Sequence, residues 1–180
     1  MDFEFILALM NKNMKNATKH LKGHSAEDEA FMAMAIRLSE ENVANGGGPF
    51  GAVIVRDGEV VSTGANRVVP NSDPTAHAEV MAIRSACAQL GTFNLSGCTI
   101  YTSCEPCPMC LSAIYWAGID HIFYANTKDD AKAIDFDDSF IYDQIPLAPS
   151  DRSIKADQLM HADALKVFHM WADKDDKVKY

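Results

Sequence analysis

Residues 103–110 read SCEPCPMC, and upstream of them stands TAHAEV at 75–80. Three sulfurs this close can make a metal site, a redox pair or part of a disulfide framework. Cys107 and Cys110 are flanked by Pro106 and Pro108, which place them at a helix start on one turn. Backbone N–H groups and the positive end of the helix dipole favour thiolates there. Zinc takes sulfur and imidazole tetrahedrally, and a catalytic site leaves one position open for water. His77 in TAHAEV supplies the imidazole, one turn into a preceding helix, so that two helix N-termini converge on one ion. Two thiolates cancel the formal charge of the ion and weaken its pull on water, which makes a carboxylate base beside that water necessary. Glu79, two residues after His77, is that base.

These residues admit other readings. A lone C-x-x-C also serves as a redox pair or as half of a structural zinc site, with Cys104 as a fourth ligand. The thioredoxin-like context is missing, and Cys104 reads better as a packed thiol beside an open site. Five cysteines, an odd number, in a chain without a secretory leader point to a reducing compartment rather than to disulfides. The composition bears on the partner. Asp and Glu outnumber Lys and Arg by 25 to 16, for a net charge of −9. This balance argues against a phosphate backbone as the main partner and suits a small uncharged substrate. The opening MDFEFILALM has neither the basic start nor the long apolar run of a secretory leader, and no window is long enough to span a bilayer. The expectation is a cytoplasmic protein with residues 1–25 as an N-terminal extension and 26–180 as one catalytic domain.

The elements that must position the site follow from pattern. AEDEAFMAMAIRLSEENVANGGG carries Phe31, Met34, Ala35 and Leu38 at helical spacing and ends in glycines. FGAVIVRDGEVVSTGANRVV is two β-rich runs around Asp57-Gly58, a hairpin signal. DPTAHAEVMAIRSACAQLG reads as a helix capped by Asp73, with Pro74 in its first turn and Val80, Ile83, Cys87 and Leu90 as its apolar stripe. CTIYTS and HIFYAN are strands on either side of a CPMCLSAIYWAG helix. In the last helix, Leu159, Leu165, Phe168 and Trp171 form the side expected to be buried. Strand–helix–strand implies parallel pairing, and the class is α/β.

H-x-E followed by P-C-x-x-C is the general signature of zinc nucleobase deaminases. Together with GGPFGAVIV, SDPTAHAEVMAIR, YTSCEPCPMCLSAIYWA and FDDSFIY, it makes the chain resemble the cytidine deaminase superfamily, and within it bacterial guanine deaminases, from about Ala30 to Tyr180. The resemblance implies a three-layer α/β/α fold with a central mixed five-stranded sheet. It also implies one Zn2+ per site and a homodimer whose exchanged C-terminal tail, DKDDKVKY, closes the neighbour's site. The implied reaction is hydrolysis of guanine to xanthine and ammonia, with His77, Cys107 and Cys110 on zinc and Glu79 moving protons. Asp138 matches a position that meets the substrate and assists proton transfer. Phe50, Asn66, Trp116 and Tyr180 match substrate-binding positions.

Without the resemblance each of these has an ordinary alternative. Asp137-Asp138 reads as a solvated turn cap, Asn66 as a turn residue, Phe50 and Trp116 as core, and the tail as a frayed charge run. Guanosine deamination is the nearest rival activity. Deamination of cytosine or of adenosine in transfer RNA follows it, and a zinc-dependent binding module without catalysis is the non-enzyme alternative. An intact Glu79 speaks against the last.

Overall fold

The structure, a computed structural model, describes residues 24–179. The expectations for residues 1–23 of the extension and for Tyr180 lie outside the described residues.

The first helix, α1 (Ala26–Ala44), is started by a capping box in which Ser25 and Asp28 satisfy each other's backbone N–H groups. The hairpin of β1 (Gly51–Arg56) and β2 (Glu59–Ala65) follows. Its turn places both Asp57 and Gly58 at positive φ, 54° and 77°, the geometry that matches strand twist in a two-residue loop. A short helix, α2 (Val68–Asn71), leads to α3 (Ala78–Leu90), which Gly91 stops in the left-handed region. Next come β3 (Cys98–Cys104), α4 (Pro108–Ala117) and β4 (His121–Asn126). The remainder holds α5 (Lys128–Lys132), α6 (Ser139–Gln144), a single 3-10 turn at Pro149–Asp151 and α7 (His161–Ala172).

The strands form one mixed sheet in the order β2-β1-β3-β4, with β3 and β4 parallel and the other pairs antiparallel. Strand alternation splits the core in two. Ala52, Ile54 and Ile100 face α3 and α4 and pack with Ala78, Ala82, Ala86 and Ile114. Val53, Val55 and Tyr101 face the other way and pack with Phe31, Met34 and Ala35 of α1. Helices thus cover both faces. The described residues supply four strands; a fifth, which the resemblance implies, is not among them.

Three expectations are corrected. The helix expected from Asp73 begins instead at Ala78, because the Asp73 carboxylate bonds the N–H and hydroxyl of Thr75 and closes a turn there. His77 is therefore the residue that opens α3, not one a turn inside it. The buried side of α3 is Ala78, Ala82 and Ala86, while Val80, Ile83 and Cys87 are half-buried and Leu90 is exposed. Small residues face the sheet because the helix lies almost on the strand. A Cβ at Gly64 of β2 would overlap the Ala78 carbonyl oxygen and the Ala82 nitrogen. Finally, no residue of α7 is buried among the described residues: Leu165 and Trp171 are partly covered, Phe168 is largely exposed, and Leu159 before them is exposed as well.

Gly64→Ala forces α3 away from β2. We expect it to cost about 1–3 kcal/mol, read as a lower urea midpoint at unchanged m-value.

Candidate active site and metal centre

The antiparallel and parallel pairings bring four chain ends to one edge of the sheet: the start of β1 and the ends of β2, β3 and β4. Both α3 and α4 begin at that edge, since each follows a strand that ends there. His77 (φ −70°, ψ 156°) and Cys107 (φ −63°, ψ 168°) are the N-cap residues of these helices, and neither side chain caps its own helix. Both are turned instead toward a common point. His77 Nδ1 lies 3.6 Å from Cys107 Sγ and 3.5 Å from Cys110 Sγ. All three ligand atoms fall within 4.8 Å of one another, a spacing that a single ion of zinc's bond lengths can bridge.

The thiols are electrostatically unequal. A hydrogen bond from Cys110, with His77 beside it, holds Cys107 down at about 4. The same hydrogen bond, with burial, pushes Cys110 up. The pair shares one proton, and a divalent cation replaces it by stabilising both thiolates. His77 is raised, chiefly by its contact with Cys107. Glu79, only 7 % exposed, is raised by burial. The donor set fits zinc: two sulfurs, one imidazole, and a buried carboxylate that does not belong to the triad.

These groups open into a cavity of about 410 Å³ lined by His77, Glu79 and Cys107, with Phe50, Asn66 and Asp138 of the sequence expectations also on its wall. That volume falls within the range of small-molecule pockets, roughly 300–1,000 Å³. Phe50 meets Phe136 edge to face, with ring centroids 5.0 Å apart. Asn66 is buried, and its Oδ1 accepts from the Val68 N–H. Trp116 is 69 % exposed and lies away from this cavity, so within one chain it does not join the others. Cys104 lines the cavity outside the triad and its thiol faces the Thr127 carbonyl. Cys98 is buried, Cys87 is half-buried, and all five cysteines are free thiols.

Asn42 is a site-supporting residue that the sequence reading missed. Its Nδ2 donates to the carbonyls of Gly48 and Asn66, each at 2.8 Å. One side chain thus pins both loops that carry the cavity wall, and Gly47 packs so closely on it that a Cβ there would overlap the amide. A signal was present: 31, 35, 38 and 42 recur at helical spacing, so a polar residue stands on the apolar stripe of α1. Asn42→Ala takes the side-chain donor from the buried Asn66 carbonyl, whereas the Gly48 carbonyl keeps the N–H of Phe50 at 2.8 Å. It should cost about 1–3 kcal/mol for the acceptor left unpaired and raise KM more than it lowers kcat, measured by thermal melts and steady-state kinetics.

Comparison with known proteins agrees with this geometry. Residues 25–126 match the cytidine and deoxycytidylate deaminase zinc-binding region. A guanine deaminase from Bacillus subtilis (strain 168) is 49 % identical over 153 residues, covering 84 % of this chain and 98 % of its own. The X-ray structure of guanine deaminase from Bacillus subtilis superimposes with a TM-score of 0.82 over the same shares of the two chains, also at 49 % identity. A guanine deaminase from Nitrosomonas europaea is similar at 36 % identity and a TM-score of 0.60, with 71 % of each chain covered.

Proposed function

The chain belongs to the zinc-binding cytidine and deoxycytidylate deaminase family, and from that premise we propose that it hydrolyses guanine to xanthine and ammonia. The observation that carries deamination is the triad of His77, Cys107 and Cys110, two of whose members, His77 and Cys107, line the same cavity as the buried Glu79. Guanine, rather than another aminated ring, follows from similarity to the Bacillus enzyme along almost its whole length.

His77, Cys107 and Cys110 hold the ion; when bound, zinc supplies Lewis-acid activation of water. Glu79 takes a proton from the attacking water and delivers it toward the departing amine. Its burial raises its proton affinity, which suits a group that must both accept and release a proton. Attack falls on C2, the ring carbon that bears the amine. Guanine presents N–H donors at N1 and N2, and we assign Asp138, one of the carboxylates on the cavity wall, to accept from them. Phe50 packs on the purine face and Asn66 hydrogen-bonds the base.

The proposal extends to the assembly. In a homodimer with exchanged C-terminal segments, the partner subunit covers the apolar side of α7, where Phe168 is 73 % exposed among the described residues. The tail ending at Tyr180 then closes the neighbouring subunit's cavity, and Trp116 contributes from the exposed side of α4. The three-layer arrangement with a fifth strand, and a cytoplasmic location, belong to the same reading. No helix among the described residues is long and apolar enough to cross a membrane.

The test is ammonia release by zinc-loaded protein given guanine or guanosine separately. Guanine alone is expected to be turned over. Glu79→Ala should keep its zinc and lose roughly 10²–10⁴-fold in kcat, whereas Cys107→Ser should lose the zinc itself, by metal analysis after gel filtration. Turnover of guanosine alone would move the assignment to the nucleoside. No ammonia from either substrate, with zinc bound, would overturn it.

A further inference from the structure

Two adjacent carboxylates, Asp137 and Asp138, both border the cavity, yet they are held in different ways. The acceptor capacity of Asp137 is occupied. Its Oδ1 accepts from the N–H of Ser139 at 3.0 Å and from the hydroxyl of Ser139 at 2.5 Å. Its Oδ2 pairs with Lys132 Nζ at 3.0 Å. Lys132 Nζ also reaches Ser139 Oγ at 3.5 Å, so the three side chains close a ring. Lys132 comes from α5, which is fixed at its other end by a capping box between Thr127 and Asp130. Asp138, by contrast, precedes α6 without making a side-chain capping bond.

The intervening turn is tight. Asp135 sits at φ 70°, a conformation that non-glycine residues hold only where their surroundings impose it. The N–H of Phe136 is tied back to the Ala131 carbonyl at 3.0 Å, and its ring meets Phe50 on the cavity wall. We infer that Asp137 is a positioning residue: by gripping Lys132 and Ser139 it fixes the turn from which Asp138 faces the cavity. This rests on the reading of Asp138 as the residue that meets the base.

The two groups are also set apart in proton affinity. Ser139 and Lys132 hold Asp137 at about 2, while burial and the Cys107 charge raise Asp138. The Lys132 and Asp137 side chains are 55 % and 43 % exposed, and an ion pair in that setting adds little stability. A positioning role therefore predicts a loss of turnover without a matching loss of stability.

The experiment measures kcat and KM for guanine, with melting temperature and zinc content, for Asp137→Ala, Asp137→Asn, Lys132→Met, Asp138→Asn and the double variant Asp137→Ala/Asp138→Asn. Asp137→Ala should lower kcat/KM on the order of 10- to 100-fold through misplacement of the wall, with zinc unchanged and little change in melting temperature. Asp137→Asn keeps an acceptor for Ser139 and should recover part of the loss. In the Asp138→Asn background, Asp137→Ala should cost less than about twofold more, because residues acting through one another are not additive. Lys132→Met loosens the same ring from the other side, so a folding defect in one variant leaves the other to decide. Equal losses in both backgrounds, or unimpaired turnover by Asp137→Ala, would overturn the inference alone. Normal turnover by Asp138→Asn would overturn it together with the reading beneath it.

Discussion

The contact between Gly64 and the start of α3 determines where the chemistry can happen. The helix backbone lies against the strand backbone with no side chain between, and Ser62 Oγ donates to the Ala82 carbonyl at 2.8 Å as a second fastening. Ala78, Ala82 and Ala86 are fully buried in that seam. Because they are small, they permit the approach and fix the height of α3 on the sheet. That height brings His77 level with the first turn of α4, within 3.6 Å of both thiols. A bulkier seam would lift the imidazole away from the sulfurs, whatever the local sequence around either.

The second constraint is charge. The triad places a low-lying thiolate, a second thiol and the buried carboxylate of Glu79 at one end of the sheet, and Asp138 shares their cavity. Burial disfavours the ionised forms of Glu79 and Asp138, the hydrogen bond to Cys107 with burial does the same for Cys110, and neighbouring negative charges add to each. Two helix N-termini offset part of this cost; a divalent cation offsets the rest. The polypeptide alone crowds acidic groups at this end of the sheet, and a cation at the His77, Cys107 and Cys110 cluster would relieve them.

What could be read in the sequence was what is local. The Cys107–Cys110 spacing and the His77–Glu79 pair each lie within one helical turn, so their geometry follows once a helix is granted. The strand–helix–strand order likewise gave the parallel pairing of β3 and β4. Less local features were hidden. Asp73 and Pro74 carry the signals of a helix start, but the carboxylate closes a turn on Thr75 instead, and the helix waits for Ala78. Without the resemblance Asp137 and Asp138 look alike in a string of letters, and it is the hydrogen bonds of Ser139 and the ion pair with Lys132 arriving from α5 that hold Asp137 apart. The periodicity of α7 is real, yet among the described residues none of its side chains is buried.

His77 and Cys107 stand 30 residues apart in sequence and belong to different helices. An ion held between them is a cross-link as well as a cofactor. The unfolded chain does not hold these groups together, so the ion binds the native state by preference, and folding and metal supply become thermodynamically linked. Once free zinc exceeds its dissociation constant, each further tenfold rise adds about 1.4 kcal/mol to the stability of the native state. Zinc scarcity would then act twice on such a molecule, first by stopping turnover and then by enlarging the unfolded fraction open to proteolysis.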